Sequence, residues 1–286
     1  MQKDIFVYLV VGDLNGESHN GTVNKISRLV LPFLCCFFDN FAQRIFRDFL
    51  LLIIEHLHNK TLMANYKDNM PRTAEPFNMV YFHGFASSGA TGTAELLRKI
   101  FPSSEILAPD IPVDPAEALP YLKAFCEEHR PDVVVGTSMG GMYAQQMRGF
   151  LRICVNPAFR MSTMSKVLHT GTFKFLNGRK DSQKEFRITA DIIRHFNEME
   201  RHQFDDITPE ERELCYGLFG TGDTTVNPIN AYNKFTKYYA HAERFDGEHQ
   251  LNERSIRHAL LPLLKRLFGE RYEASTQEPL PDYMKY

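Results

Sequence analysis

Short apolar runs alternate with helical patterns along the chain from about Phe77 onward. The apolar, β-rich runs predict strands at residues 78–82, 105–108, 132–135, 151–155, 214–219 and 239–245. Between them, amphipathic spacing and capping residues predict helices at residues 91–100, 115–129, 140–148 and 252–268. Strands that alternate with helices are typical of a mostly parallel central sheet with helices on both faces.

Individual residues sharpen this pattern. Three consecutive valines before Gly136 indicate a strand that is buried on both faces, as in a parallel sheet. Asp114 followed by Pro115 has the form of a helix N-cap with proline in the first turn, and Thr208 predicts a second N-cap. Pro262 is expected to kink or split the terminal helix, because proline cannot donate a backbone hydrogen bond.

One stretch does not fit the alternation. Residues 157–208 are too long for an ordinary connection, so we expect a lid-like excursion over the C-terminal edge of the sheet. The pattern divides the chain into an N-terminal extension (residues 1–76), a catalytic domain (77–271) that includes this excursion, and a polar tail (272–286). The tail is expected to be poorly ordered.

The N-terminal extension shares no periodic pattern with the rest of the chain. Apolar residues recur at helical spacing between residues 41 and 53, which predicts an amphipathic helix. We expect this helix to dock on the protein; a membrane-surface anchor is the alternative, although the polar face is not strongly basic. A further hypothesis is that residues 1–62 are an upstream extension, because Met63, Met70 and Met79 precede or open the first strand of the catalytic domain.

Composition and charge exclude several classes of function. The net charge is −2 and no cluster of lysine and arginine occurs, so the sequence predicts no nucleic-acid partner. Charged residues interrupt the apolar N-terminal patches, and no uncharged run approaches the roughly 18 residues that a membrane span needs. The five cysteines match neither a zinc site nor a disulfide framework. We therefore expect free thiols, no metal and a cytoplasmic location.

The strongest chemical signal is the sequence G-T-S-M-G-G at residues 136–141. It matches the G-x-S-x-G nucleophile elbow of α/β-hydrolases, in which a strained turn between a strand and a helix exposes a serine. Residues two positions from the serine must be small for this turn to form, and here both are glycine. The predicted strand before Ser138 and helix after it supply the required context.

A second motif, His83-Gly84-Phe85, follows the first strand of the catalytic domain. In α/β-hydrolases the amide after the nucleophile and an amide from an early loop bind the oxyanion. The amides of Met139 and Phe85 are the corresponding donors here. The order in this fold is serine, acid, then histidine, so His83 is assigned a role in shaping the loop with Gly84 rather than that of the base.

The acid and the base follow in that order. Asp223 ends a predicted strand in a glycine-rich turn, and His249 lies between the last strand and the last helix. Four rivals are less suited: Asp246 and Glu248 are too near His249 in sequence, and His241 and His258 fall inside predicted elements. The sequence therefore predicts a Ser138–His249–Asp223 triad that cleaves an acyl bond through an acyl-enzyme.

Taken together, the motifs resemble the YqiA/YcfP-like family of small serine esterases. The segments that carry the resemblance are residues 81–88, 136–141, 156–158 with Arg160, 221–223 and 247–249. The resemblance covers about residues 79–268. It implies a compact α/β-hydrolase that needs no metal or cofactor and acts on short-chain acyl esters, with the triad on the three residues named above. Residues 161–204 differ from the family pattern.

Two other functions stay open at this point. One is an acyl-CoA or acyl-carrier thioesterase with the same triad, in which basic residues of the excursion meet a phosphorylated carrier: Lys166, Lys174, Arg179 and Lys180. The other is a non-catalytic binding protein on a hydrolase scaffold. Such proteins usually lose a triad member, and all three are present here.

Overall fold

The structure of this protein is a computed structural model, and it describes residues 75–164 and 168–276. The predicted amphipathic helix at 41–53, the hypothesis about residues 1–62 and Lys166 lie outside the described residues.

The central sheet has six parallel strands in the order β2-β1-β3-β4-β7-β8. A separate two-stranded antiparallel sheet pairs β5 with β6. The strands are β1 Met79–Phe82, β2 Ile106–Leu107, β3 Val133–Thr137, β4 Arg152–Val155, β5 Gly171–Lys174, β6 Glu185–Ile188, β7 Cys215–Gly220 and β8 His241–Phe245. The six predicted strands all occur, and together they form the parallel sheet of an α/β-hydrolase fold.

The helices are α1 Gly92–Ile100, α2 Pro115–His129, α3 Met139–Ala144, α4 Ala190–His202, α5 Pro209–Glu213, α6 Pro228–Phe235, α7 Glu253–Ser255, α8 Leu261–Phe268 and α9 Glu270–Ser275. The predicted N-caps form: Asp114 accepts a hydrogen bond from the amide of Ala116, and Thr208 accepts one from the amide of Glu211. Helix α6 was not predicted, although its N-cap Asn227 and first-turn Pro228 carry the same signal.

Both faces of the sheet are covered. All residues of β1 are buried, and side chains of a strand point alternately to opposite faces. On one face Val80 and Phe82 join a core cluster that includes residues of α2, α3 and α6. On the other face Phe77 stacks on Phe268, with ring centroids 4.4 Å apart, and meets the edge of Phe101.

The terminal helical run changes its geometry as predicted near Pro262. A π-helical segment, Ile256–Leu260, joins α7 to α8. Because proline lacks the amide hydrogen that a regular helix would use, the wider turn before it adjusts the hydrogen-bond pattern.

The chain stays helical beyond the predicted boundary at Arg271. Tyr272 and Ser275 of α9 are buried, and the hydroxyl of Ser275 accepts a hydrogen bond of 2.9 Å from the amide of Phe77. Arg271 itself makes a bidentate ion pair with Asp132, at 2.8 and 2.9 Å. The beginning of the predicted polar tail is therefore part of the packed structure, because it ties the last helix to the start of β1.

The predicted excursion has a structure of its own. It contains the β5–β6 hairpin and helix α4. The tip of the hairpin is bound to the loop after β1: the amide of Leu176 donates to the carbonyl of Ala86 at 2.7 Å, and the hydroxyl of Ser88 donates to the carbonyl of Gly178 at 2.7 Å. The hairpin is thus attached to the loop that carries Phe85.

Candidate active site

Ser138 lies on a strained turn between β3 and α3. Its backbone has φ 59° and ψ −119°, a conformation that L-residues rarely adopt and that costs about 1–3 kcal/mol. The glycines beside it are required by space. A Cβ atom at Gly136 would lie 2.2 Å from the carbonyl oxygen of Gly140, and one at Gly140 would lie 2.1 Å from the carbonyl oxygen of Phe82. The G-x-S-x-G pattern therefore reflects backbone contacts that only glycine permits.

The structure brings the three residues of the predicted triad together. Nε2 of His249 lies 2.9 Å from Oγ of Ser138, and Nδ1 of His249 lies 2.7 Å from Oδ2 of Asp223. Ser138 follows β3, Asp223 follows β7 and His249 follows β8. The three side chains lie together because parallel strands end at the same edge of the sheet. This arrangement gives a serine hydroxyl, an imidazole and a carboxylate in one hydrogen-bonded series.

The carboxylate of Asp223 is held in a fixed orientation. Its Oδ1 accepts hydrogen bonds of 2.8 Å from the amides of Thr225 and Val226, which leaves Oδ2 for His249. The side chain is 1% exposed. A buried carboxylate that is oriented in this way keeps the histidine in one tautomer, with the proton on Nδ1.

The rival residues are placed elsewhere. Asp246 is exposed and pairs with Arg254 at 2.6 Å. His241 contacts the carboxylate of Glu213 at 2.9 Å, and His258 is exposed on the terminal helical run. None of these side chains belongs to the hydrogen-bonded series of Ser138, His249 and Asp223.

The two predicted oxyanion donors flank Ser138. Gly84 lies against the serine, since a Cβ atom on it would be 3.6 Å from Cβ of Ser138. The amide of Phe85 donates no hydrogen bond to another described residue. The amide of Met139 is the first of α3, where no intrahelical acceptor exists. Neither amide thus donates to an acceptor among the described residues.

His83 is buried and takes no part in the triad. The amide of Ile111 can only donate, so Nε2 of His83 is the acceptor of that 3.1 Å bond and Nδ1 carries the proton that it donates to the carbonyl of Gly84 at 2.8 Å. Burial lowers the pKa of His83 from 6.5 to about 4. The neutral ring therefore joins the loop after β1 to the segment before α2.

This environment predicts a pH dependence of stability. Between pH 6.5 and 4 the unfolded chain binds a proton at His83 and the folded chain does not, so the free energy of unfolding should fall as the pH falls. The expected loss is about 3 kcal/mol. Urea denaturation at pH 7 and at pH 4 gives the loss in free energy of unfolding for the wild type and for His83→Asn. The loss of the wild type should exceed that of the variant by this amount. Equal losses in both proteins would contradict the assignment.

Asn156 is a site residue whose role the sequence did not indicate. Its Nδ2 donates to the carbonyls of Glu248 and His249, at 2.8 and 3.0 Å, and its Oδ1 accepts from the amide of Gly220 at 2.6 Å. It has a left-handed backbone, with φ 46°, which asparagine tolerates well. The side chain of Asn156 therefore joins the ends of β4, β7 and β8. It holds the backbone of the loop that carries His249, which we call the histidine loop. The resemblance drew attention to this position without giving a reason for the amide.

The fold and the strand–turn–helix site define the class as the α/β-hydrolase fold. Residues 78–264 match the family described as "Uncharacterised protein family (UPF0227)", and the chain belongs to that family, as the motif resemblance predicted. No curated protein sequence matches the chain.

Solved structures show a distant likeness. The esterase domain of a Rhodothermus marinus protein is 17% identical with a TM-score of 0.47, over 68% of this chain and 89% of that one. Est1E from Butyrivibrio proteoclasticus is 14% identical with a TM-score of 0.46, over 72% and 90%. The thioesterase domain from the curacin biosynthetic pathway is 12% identical with a TM-score of 0.40, over 68% and 92%. At these values the likeness carries no inference about a substrate.

Within residues 75–164 and 168–276, no three side chains among histidine, cysteine, aspartate and glutamate are grouped to hold a metal ion. In the same part of the chain, no helix has the length and apolar character needed to cross a membrane.

Proposed function

We propose that this protein is a serine hydrolase, specifically a carboxylesterase that cleaves short-chain acyl esters. The observation that supports it is the series of hydrogen bonds from Asp223 through His249 to Ser138 on the nucleophile elbow. Hydroxyl, imidazole and carboxylate in this order are the elements of nucleophilic acyl transfer.

In the proposed mechanism His249 removes the proton of Ser138 as Oγ attacks the acyl carbonyl. The amides of Met139 and Phe85 donate to the oxyanion; in measured cases one such donor contributes roughly 3–4 kcal/mol to the transition state. The protonated His249, stabilised by Asp223, gives its proton to the leaving alcohol. Water then attacks the acyl-enzyme while His249 removes its proton. The acid product leaves, and Ser138 regains its proton from His249. Every bond that forms or breaks involves the serine, His249, the acyl ester or water, so the proposal invokes no cofactor.

A labelling experiment tests the enzyme proposal. A fluorophosphonate probe should modify Ser138, identified by peptide mass spectrometry, and modification should abolish hydrolysis of p-nitrophenyl acetate and butyrate. A folded protein that neither reacts with the probe nor hydrolyses any ester would favour a non-catalytic binding protein instead.

A substrate panel separates the esterase from the thioesterase. Lys174 and Lys180 are exposed on the excursion hairpin, where a phosphorylated carrier has access to them. The guanidinium of Arg179, in contrast, stacks on the ring of Phe175 at 4.5 Å and contacts Asp181 at 3.3 Å. We expect higher kcat/KM for p-nitrophenyl esters than for acyl-CoA thioesters of the same chain length; the reverse order would support the thioesterase.

Asn156→Asp is expected to lower kcat by roughly 10²-fold, because a carboxylate would face the carbonyls of Glu248 and His249 and displace the histidine loop. KM should change little, since the substrate does not bind to this side chain. The matched control is Asn197→Asp, whose amide donates within its own helix to the carbonyl of Ile193. If both variants retain wild-type kcat, Asn156 does not position the base.

A further inference from the structure

A cleft of about 250 Å³ opens between the loop after β4 and the segment that leads into α6. Apolar residues from both sides line it, among them Pro157, Ala158, Val226 and Ala231. Two basic residues, Arg160 and Lys234, also line it. The lining of the cleft thus includes both apolar and positively charged side chains.

The walls of the cleft are attached to the triad. The amide of Ala158 donates to the carbonyl of Ser138 at 3.0 Å, and the amide of Val226 donates to Oδ1 of Asp223 at 2.8 Å. The cleft therefore lies next to the backbone segments that hold Ser138 and Asp223, although the triad side chains do not line it. Asn227 is the N-cap of α6. At a rise of 1.5 Å per residue, the backbone of Lys234 lies about 10 Å further along the helix axis.

Neither cation forms a direct ion pair with a described carboxylate. Among residues 75–164 and 168–276, no acidic side chain lies within 4.0 Å of Arg160 or Lys234. Glu200 is the nearby acid: its charge opposes the lowering of the pKa of Lys234, and its two oxygens accept hydrogen bonds from Ser162, at 2.8 and 2.5 Å. One carboxylate thus faces two cations, which leaves an excess of positive charge.

Lys234 is half-buried, with its ammonium 4.9 Å from the ring centroid of Phe204. Burial, followed by the charge of Arg160, lowers the pKa of Lys234. A partly desolvated ammonium beside a second cation is an arrangement that a bound anion would stabilise.

We propose that this cleft is a subsite for an anionic group, so that the preferred substrate is an ester bearing a carboxylate or a phosphate that reaches Arg160 and Lys234. The inference rests on the proposed function and narrows its substrate class. The apolar walls would contact the carbon chain between the scissile carbonyl and the anion. The cations would bind the anion by charge-assisted hydrogen bonds, the guanidinium in bidentate form.

Matched substrate pairs test the proposal and distinguish the source of the anion. One pair places a carboxylate on the acyl part: the mono-p-nitrophenyl ester of glutaric acid against p-nitrophenyl pentanoate. The other places a phosphate on the alcohol part: 1-butyrylglycerol 3-phosphate against 1-butyrylglycerol. The wild type should have a higher kcat/KM for the anionic member of at least one pair. No preference in either pair would overturn the proposal.

Substitutions assign the preference to the cleft. Arg160→Gln and Lys234→Gln should each lower the anionic-to-neutral ratio of kcat/KM by about tenfold, the effect of losing one charged hydrogen bond. Lys237→Gln is the matched control: it removes the same charge from an exposed lysine outside the cleft, and should leave the ratio unchanged. If all three substitutions lower the ratio equally, the preference for anionic substrates results from the net charge of the protein, and the site is rejected.

Binding separates failure of this inference from failure of the proposed function. The glutarate monoester should bind to Ser138→Ala about tenfold more tightly than to Ser138→Ala combined with Lys234→Gln, as measured by calorimetry. This measurement does not depend on turnover. Equal affinities would reject the subsite even if Ser138 is the nucleophile, whereas hydrolysis that survives Ser138→Ala would reject the mechanism and leave the binding result standing.

Discussion

Ser138→Ala is expected to lower kcat for p-nitrophenyl butyrate by about 10⁵-fold, the scale of loss when a hydrolase loses its nucleophile. The reason is that Oγ is the only atom of the series that forms the bond to the acyl group, and neither His249 nor the oxyanion amides can replace it. The free energy of unfolding should change little, since the alanine keeps the same strained backbone. Steady-state kinetics and urea denaturation measure the two quantities.

Ser182→Ala is the matched control for this substitution. Ser182 has a backbone φ of 60°, close to the 59° of Ser138, but lies exposed at the end of the excursion hairpin. The same chemical change at another serine with a positive φ should therefore leave kcat within about twofold. Retention of more than a tenth of the wild-type kcat by Ser138→Ala would refute the mechanism.

Gly136→Ala is expected to reduce the free energy of unfolding by about 4 kcal/mol or more. The added Cβ would lie 2.2 Å from the oxygen, 2.5 Å from the carbon of the Gly140 carbonyl and 2.8 Å from the amide nitrogen of Gly141. All three are backbone atoms of the elbow, so relief requires β3 and α3 to separate. Because natural domains are stable by only about 5–15 kcal/mol, most of the protein should fail to accumulate in folded form.

Gly92→Ala tests whether this loss comes from the contacts rather than from the type of substitution. A Cβ atom at Gly92, the first residue of α1, would meet no atom within 4 Å. Alanine there should leave the free energy of unfolding unchanged or raise it by up to about 1 kcal/mol, because alanine favours the helix. Urea denaturation of both variants gives the comparison. Equal stability of Gly136→Ala and the wild type would mean that the elbow has another geometry.

The fold and the triad positions were accessible from the sequence because local chemistry carries them. The valines of β3 suit a strand that is buried on both faces. The glycines around Ser138 permit the close approach of backbone atoms at those positions. The order of Ser138, Asp223 and His249, each after a predicted strand, places them at one edge of a parallel sheet without any knowledge of distances. Helix α6 was missed although its capping signal was present in the sequence.

Other features depended on contacts between distant parts of the chain. Nothing local to Asn156 indicates that its amide will meet the carbonyls of Glu248 and His249, more than ninety residues away. The excursion was recognised by its length alone, since a hairpin that binds to the loop of Phe85 has no signature in either segment. The same holds for Arg160 and Lys234, which share a cleft only because β4 and β7 are neighbours in the sheet.

The sequence by itself therefore determined the sheet, the elbow at Ser138 and the placement of Asp223 and His249 at the same edge of the sheet. Each of these follows from periodicity, backbone sterics and the order of motifs, which are local properties. The tertiary structure alone decided the tautomer of His83, the bonds that Asn156 makes to the histidine loop and the placement of two cations in one cleft. Those depend on which loops meet at the sheet edge, and a side chain acquires hydrogen-bond partners and electrostatic surroundings only when the chain is folded.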